Sequence, residues 1–467
     1  MKSICNFEQP MRAFTQACVV PLLVTSGIGS ISEAATLYTS RQIVPDANRK
    51  IIEIGNDTRV LTMRQDSPAV SDLHIVIENW DPDSYAEFRP GTLSGTTRSI
   101  GNAFNDAQHV TGYAETADAN GNIYAPDGYT PLNPRRAFLF NGAFVDLSAL
   151  APLKSAANGS VGTAINNREE VVGYWLDEMG RHAFLYSHGT VIDLGSLSGV
   201  TDPADAQANA INNVGQVAGS SRLPPGSGSS AFPHAFIYDH GKMTDLGMLP
   251  GWEWSVGSFI NDAGEVVGTV HAGNHAVGCF IYTGGAMKDM GVLGNAGSYP
   301  YCQVYGINNS GVAVGYTNAI PTPPDFQTTG PFVYSDGHMT NLNTLIVPTD
   351  ALITNHIVLK NAISINDNGQ ILATTGTPAS EGVYYLLTPV ENSAPTPTPD
   401  PTPTPAPAAA PTPAPVATAP PPITASIAVP ETTMNNEASG KGAFDWLLLS
   451  LLGGSFIWRK QVFPFNR

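Results

Sequence analysis

One short pattern recurs along the chain and governs what it can fold into. A hydrophobic residue is followed by Asn-Asn or Asn-Asp, a tight turn and then a Val-x-Gly-like stretch. The plain copies are Ile165-Asn166-Asn167 with Gly173, Ile211-Asn212-Asn213 with Gly219, Ile260-Asn261-Asp262 with Gly268 and Ile307-Asn308-Asn309 with Gly315. Phe104-Asn105-Asp106 with Gly112 and Ile365-Asn366-Asp367 with Ala373 are looser copies. Each unit has a second half, as in Ala183-Phe184-Leu185-Tyr186, His188-Gly189 and Val191-Ile192-Asp193-Leu194-Gly195. Every unit is therefore four runs of β-branched and aromatic residues separated by Asn, Asp and Gly turns, which is two hairpins in succession. A single four-stranded sheet cannot bury both of its faces, so neighbouring copies must stack. Four strands in about fifty residues is the period of β-propeller blades.

The count follows from the turns. A worn copy, Ile52-Glu53-Ile54-Gly55-Asn56-Asp57, precedes the first plain one. With Asn56, Asn105, Asn166, Asn212, Asn261, Asn308 and Asn366 as anchors, the spacings are 49, 61, 46, 49, 47 and 58 residues. Asn56 falls on the period, so the chain reads as all-β, a propeller of four-stranded antiparallel blades with seven favoured over six. The last unit lacks its fourth strand. A strand within Ala35 to Ile43 is expected to supply it by pairing near Val383 to Leu387, closing the ring.

The flanks read differently. Arg12, the apolar run from Ala17 to Ile28 and the small residues around Ser32-Glu33-Ala34 make residues 1–34 a signal peptide, with cleavage at Ala34/Ala35. The propeller then occupies 35–391. Residues 392–438 are a Pro/Thr/Ala-rich linker, extended and unable to pack. Residues 439–467 hold the apolar stretch Trp446 to Trp458 followed by Arg459-Lys460, either a short transmembrane anchor or a sorting segment. Removing the signal leaves Cys279 and Cys302, a disulfide candidate in an oxidising compartment.

A net charge of −17 argues against nucleic acid and anionic membrane surfaces as partners, since both are bound through Lys and Arg. No Gly-x-Ser-x-Gly elbow, His-Glu-x-x-His or phosphate loop is present, and no cofactor or metal is implied. His182, His234 and the recurring Asp146, Asp193, Asp245 and Asp289 sit in repeated slots, which marks them as scaffold. Function is expected in the loops that do not repeat, 113–135, 220–233 and 317–330. Trp252, Trp254, Tyr299 and Tyr301 lead into blades at corresponding positions. On a shared rim their rings would form a ligand-binding platform; otherwise they pack between blades. The resulting expectation is a monomeric binding protein for an extracellular glycan or protein. The alternative is an extracellular propeller enzyme, a glycan hydrolase or lyase with its site in the central channel.

Two resemblances add to this reading. The His-Ala-Phe-Leu-Tyr of 182–186, with Ile-Asn-Asn and Asp-Leu-Gly, resembles the HAF-repeat family of bacterial extracellular proteins, which implies export and repetition but no activity. Ser439-Gly440-Lys441-Gly442, Phe444-Asp445-Trp446 and Arg459-Lys460 resemble the GlyGly-CTERM tail. That likeness implies a Gram-negative source, type II export machinery as a partner, trimming by a rhomboid-type sorting protease and a place outside the cell or on its outer surface.

Overall fold

In the computed structural model, residues 36–390 are described apart from 44–48, 66–72, 80–85, 119–121, 125–132, 156–157, 179, 200–204, 225–231, 274–275, 294–299, 319–328 and 377–381. Blade 1 is β2 (Arg49–Ile54), β3 (Arg59–Gln65), β4 (Leu73–Asn79) and β5 (Ala86–Phe88). Blade 2 is β6 (Arg98–Phe104), β7 (Val110–Glu115), β8 (Arg136–Phe140) and β9 (Phe144–Asp146). Blade 3 is β10 (Ser160–Ile165), β11 (Val171–Leu176), β12 (Arg181–Ser187) and β13 (Thr190–Asp193). Blade 4 is β14 (Ala206–Ile211), β15 (Val217–Arg222), β16 (Pro233–Asp239) and β17 (Lys242–Gly247). Blade 5 is β18 (Trp254–Ile260), β19 (Val266–His271), β20 (Val277–Thr283) and β21 (Ala286–Asp289). Blade 6 is β22 (Cys302–Ile307), β23 (Ala313–Asn318), β24 (Thr329–Ser335) and β25 (His338–Asn341).

Blade 7 takes β26 (Asn361–Ile365), β27 (Ile371–Thr374) and β28 (Tyr384–Pro389), then β1 (Tyr38–Ile43) from the other end of the fold. β1 runs antiparallel to β28, from Tyr38 opposite Pro389 to Ile43 opposite Tyr384. The expected closing strand is thus the one found, and the seven-bladed propeller is complete. The Asp350 carboxylate pins β1. It accepts the Ser40 N–H and hydroxyl, and it caps α1 (Ala351–Thr354) through the Leu352 N–H at 2.8 Å.

The first strands of successive blades contact one another all round the ring, so they are the inner strands. Each carries a β-bulge against its partner, for example between Gly162 and Ala164, and the same irregularity recurs in all seven blades. The bulge explains the repeated glycine of the second strand. A methyl group on Gly173 would strike the Val161 carbonyl oxygen, and would also press on the Phe184 ring. Phe138, Phe184, Phe236, Phe280 and Phe332, one per blade from 2 to 6, are fully buried on these glycines or beside them. Burial on that scale is worth about 2–3 kcal/mol per ring.

The repeated asparagines stitch blade to blade. Asn166 Oδ1 accepts the N–H groups of Arg168 and Glu170 in its own turn, while its Nδ2 donates to the Asn212 carbonyl of the next blade at 3.0 Å. The link recurs from Asn105 to Asn166, Asn212 to Asn261, Asn261 to Asn308, Asn308 to Asn366 and Asn366 to the Gly55 carbonyl. A second ring runs beside it. The N–H of Asp106, Asn167, Asn213, Asp262, Asn309 and Asp367 donates in turn to Oδ1 of Asn167, Asn213, Asp262, Asn309, Asp367 and Asn56. Asn56 therefore stands in the second slot of its turn, and the first slot of blade 1 is Gly55. The anchor chosen from sequence is one residue late, because the worn copy lost the first Asn and kept the second.

Cys279 of β20 and Cys302 of β22 are joined as a disulfide, with Cα atoms 5.4 Å apart, across the junction of blades 5 and 6. They occupy slots that hold Ala and Ser at other junctions, where Ala137 N–H donates to Ser160 Oγ and Ala235 N–H to Ser255 Oγ.

Candidate functional site

Up-and-down blades put the first and third turns of every unit at one end of the ring and all other connections at the opposite end. The turn face is repetitive and closed. It carries both asparagine rings, and its second hairpins turn on left-handed pairs such as His188 (φ 48°) with Gly189 (φ 85°) and His240 (φ 48°) with Gly241 (φ 82°). The opposite, loop face carries the side chains that do not repeat.

The conspicuous histidines and aspartates of the loop face are clasps between the third and fourth strands. His234 Nδ1 lies 3.0 Å from both Asp245 carboxylate oxygens, His182 Nδ1 lies 3.7 Å from Asp193, and Arg136 bonds Asp146. The same carboxylates accept the N–H two residues on, at Ser148, Gly195, Gly247 and Gly291, and Asn341 does so with Asn343. Burial raises the Asp245 pKa, but the His234 and Gly247 bonds outweigh it and hold the carboxyl below its ordinary value. His234 Nε2 has no partner, yet the Ser221 hydroxyl on the facing strand is engaged by Leu197 N–H and Arg222 carbonyl. The pair thus lacks an activated nucleophile.

Of the four expected platform residues, the three that are described fall into separate surroundings. Trp254 stacks with Phe232, 4.9 Å between centroids, and with His271, 5.0 Å and nearly parallel, and is half-buried. Burial pushes the His271 pKa down to about 4, leaving the ring neutral, and its Nε2 meets Thr269 Oγ1 at 2.9 Å. Trp252 packs with the core between blades 4 and 5, over Gly278. Tyr301 belongs to a separate group in blade 6. Tyr299, the Ala34/Ala35 cleavage point and everything beyond residue 390 lie outside the described residues.

Blade 6 holds a cluster that sequence reasoning missed apart from Tyr301. Tyr316 donates its hydroxyl to Tyr301 Oη at 3.1 Å, with rings 5.6 Å apart, and stacks on Tyr305 at 5.7 Å. Gln303 lies directly across from Tyr316 in the ladder. The bulge keeps Tyr305 on the same side, towards blade 7, where the Asn361 amide reaches its phenol. Burial raises the Tyr305 and Tyr316 pKa values far above the ordinary phenol range, so both stay protonated. Gln303 and Asn361 are each 3% exposed, and Gln303 Oε1 and Asn361 Oδ1 have no hydrogen-bond partner.

Blades 2 and 3 carry a tyrosine in the Tyr316 slot but cover it with a guanidinium. Arg135 lies 4.5 Å over Tyr113 and Arg181 5.0 Å over Tyr174. Arg135 and Arg98 also hold the buried Glu115 carboxylate. Both arginines stand two residues before the partner of the tyrosine, and in blade 6 that position is Thr329. The signal was therefore in the sequence, in the register of one slot across blades, but it needed the strand pairing to be read.

Among the described residues, no group of three or more His, Cys, Asp or Glu is placed to hold a metal, and no helix is long and apolar enough to cross a membrane. No family model matches the chain, and no curated protein matches it. Among solved structures it is similar to the β-propeller domain of the Trilobed protease from Pyrococcus furiosus, at 11% identity over 64% of this chain and 97% of that one, with a TM-score of 0.34. TolB from Acinetobacter baumannii matches at 10% identity over 63% and 62%, TM-score 0.35. A prolyl endopeptidase matches at 8% over 64% and 42%, TM-score 0.42, so this chain spans less than half of that one. The architecture itself rests on the strand pairing of this chain.

Proposed function

We propose that the protein is an exported or cell-surface β-propeller binding protein that takes a glycan or protein ligand on its loop face. The observation that carries this reading is the contrast between the two faces. On the turn face, polar groups satisfy one another blade after blade. On the loop face, the polar groups that repeat are engaged in clasps and the Arg98, Arg135 and Glu115 charges of blade 2 are paired with one another, while at blades 6 and 7 uncharged, non-repeating amides and phenols gather at the inner strands. Such a cluster offers hydrogen bonds and ring faces without a paired acid and base, which suits recognition better than bond cleavage. The disulfide accords with an oxidising compartment. Export through the N-terminal signal and sorting through the C-terminal tail complete the proposal.

The test uses secreted full-length chain on an oligosaccharide and cell-surface-protein array. A maleimide-polyethylene glycol attached to Glu253→Cys, on the loop face, should block binding, and the same label on Lys242→Cys, on the turn face, should not. Both positions are exposed. The bound ligand should be recovered with unchanged mass. Shortened or unsaturated sugar products would establish the enzyme instead, and binding blocked only from the turn face would reject the assignment of faces.

A further inference from the structure

The seam between blades 6 and 7 has the features of a seat for a ligand. Tyr301, Gln303 and Tyr305 project from one side of the inner strand of blade 6, with Tyr316 opposite Gln303 on β23. Asn361 faces them from the inner strand of blade 7. Leaving a buried amide oxygen unpaired costs roughly a hydrogen bond or more, and here two such oxygens, Gln303 Oε1 and Asn361 Oδ1, occupy equivalent ladder slots of adjacent blades. The same slot is apolar in blades 2, 3 and 5 (Ile100, Val161 and Val256), Lys50 in blade 1 and Gln207 in blade 4, whose Oε1 accepts from Arg181 and whose Nε2 donates to Asn209. The repeat thus demands no amide there, and the blade 4 amide is satisfied where those of blades 6 and 7 keep an unpaired oxygen.

The cluster's chemistry narrows the ligand. It contains no carboxylate and no guanidinium, and burial keeps the Tyr305 and Tyr316 phenols protonated. The free atoms are acceptors, with amide N–H and phenol groups beside them as donors. Tyr301 and Tyr305 are half-buried, so the cluster reaches the surface. We propose that this seam binds a neutral sugar residue, whose adjacent hydroxyls donate to Gln303 Oε1 and Asn361 Oδ1 while a ring face lies against the tyrosines. This rests on the loop-face binding reading and specifies its seat. The neighbouring Cys279–Cys302 disulfide fixes the start of β22, immediately between Tyr301 and Gln303, and so pre-orders the seat.

The experiment is titration of the full chain with neutral oligosaccharides (hexose, deoxyhexose and N-acetylhexosamine types) and with uronic-acid counterparts, alongside thermal melting of every variant. Wild type should bind a neutral sugar, and Gln303→Met and Asn361→Leu should each weaken it about tenfold or more without lowering the melting temperature. Should either variant melt early, Tyr305→Phe and Asn361→Asp supply smaller changes that should still weaken binding severalfold. Trp254→Leu, in another blade, should leave binding unchanged. Wild-type-like affinity in the seam variants would overturn the seat. So would preference for uronic acids, or failure of every neutral sugar to bind. The wider binding reading would survive those results if a ligand on the array were still blocked by the Glu253→Cys label, and would fall if none were.

Discussion

The junction between blades 4 and 5 and the junction between blades 1 and 2 solve the same packing problem by different means. At the first, Asn212 Nδ2 donates to the Asn261 carbonyl at 2.8 Å and to Gln216 Oε1 at 2.8 Å, while its Oδ1 accepts the Gln216 N–H. At the second, Gly55 has no side chain to offer Asn105. The Phe104 ring lies where a Cβ of residue 55 would be, 2.9 Å from its ideal position, and Phe104 N–H is accepted by the Glu53 carboxylate at 3.2 Å. Other blades have Ile, not Phe, in that slot. The difference teaches that the repeat is a hydrogen-bond device first. Where one copy loses it, apolar bulk and a buried acid fill in.

Breaking the asparagine junction should have the largest effect. Asn212→Ala removes three hydrogen bonds and strands the buried Asn261 carbonyl, and should cost about 2–4 kcal/mol. Chemical unfolding of the propeller would measure it. A loss below about 0.5 kcal/mol would mean that the ladder follows from closure and does not enforce it.

Converting the worn junction into a standard one should come next. Gly55→Asn alone should destabilise by roughly 1–3 kcal/mol, because its Cβ meets the Phe104 ring. Phe104→Ile alone should also destabilise, by leaving space. Together they restore the sequence pattern of the other blades, and the double variant should be at least 1 kcal/mol more stable than the two losses summed. Simple additivity in that cycle would show that Gly55 and Phe104 are not a coupled replacement.

Much of this architecture was legible before any coordinates. Seven units, four strands each and a closing strand within Ala35 to Ile43 follow from turn residues and from the missing last strand, because tight turns demand particular residues. The exact slot of Asn56 did not follow, since one Asn beside a Gly looks the same in either register until its partner, the Asp367 N–H, is known. The site was harder still. Trp252 and Trp254 stand out in a sequence, but covering a ring is a matter of what lies across the strand. Gln303 and Asn361 do not stand out at all. Their meaning comes from occupying one ladder slot in adjacent blades, and spacing alone cannot show that in a chain whose loops vary in length.

The acid at the worn junction gives the smallest and most selective test. Glu53 occupies a slot that is Ala103, Ala164, Ala210, Phe259, Gly306 or Ser364 in the other blades, so no repeat demands a charge there. Burial raises its pKa to about 7; the Phe104 N–H opposes this and nearby Asp106 adds to it. In the unfolded chain the group titrates near the ordinary value for Glu. Between those two values the folded protein binds the proton more tightly. The stability linked to Glu53 is therefore fully present below the unfolded pKa and is lost as pH rises through about 7. Glu53→Gln keeps an acceptor for Phe104 N–H and cannot ionise. It should match wild type at pH about 4.5 and gain about 1 kcal/mol at pH about 8. Unfolding curves of the two proteins at both pH values would measure the difference. An equal gain at both would mean that the carboxylate is solvated, and that the junction of blades 1 and 2 is held by Phe104 alone.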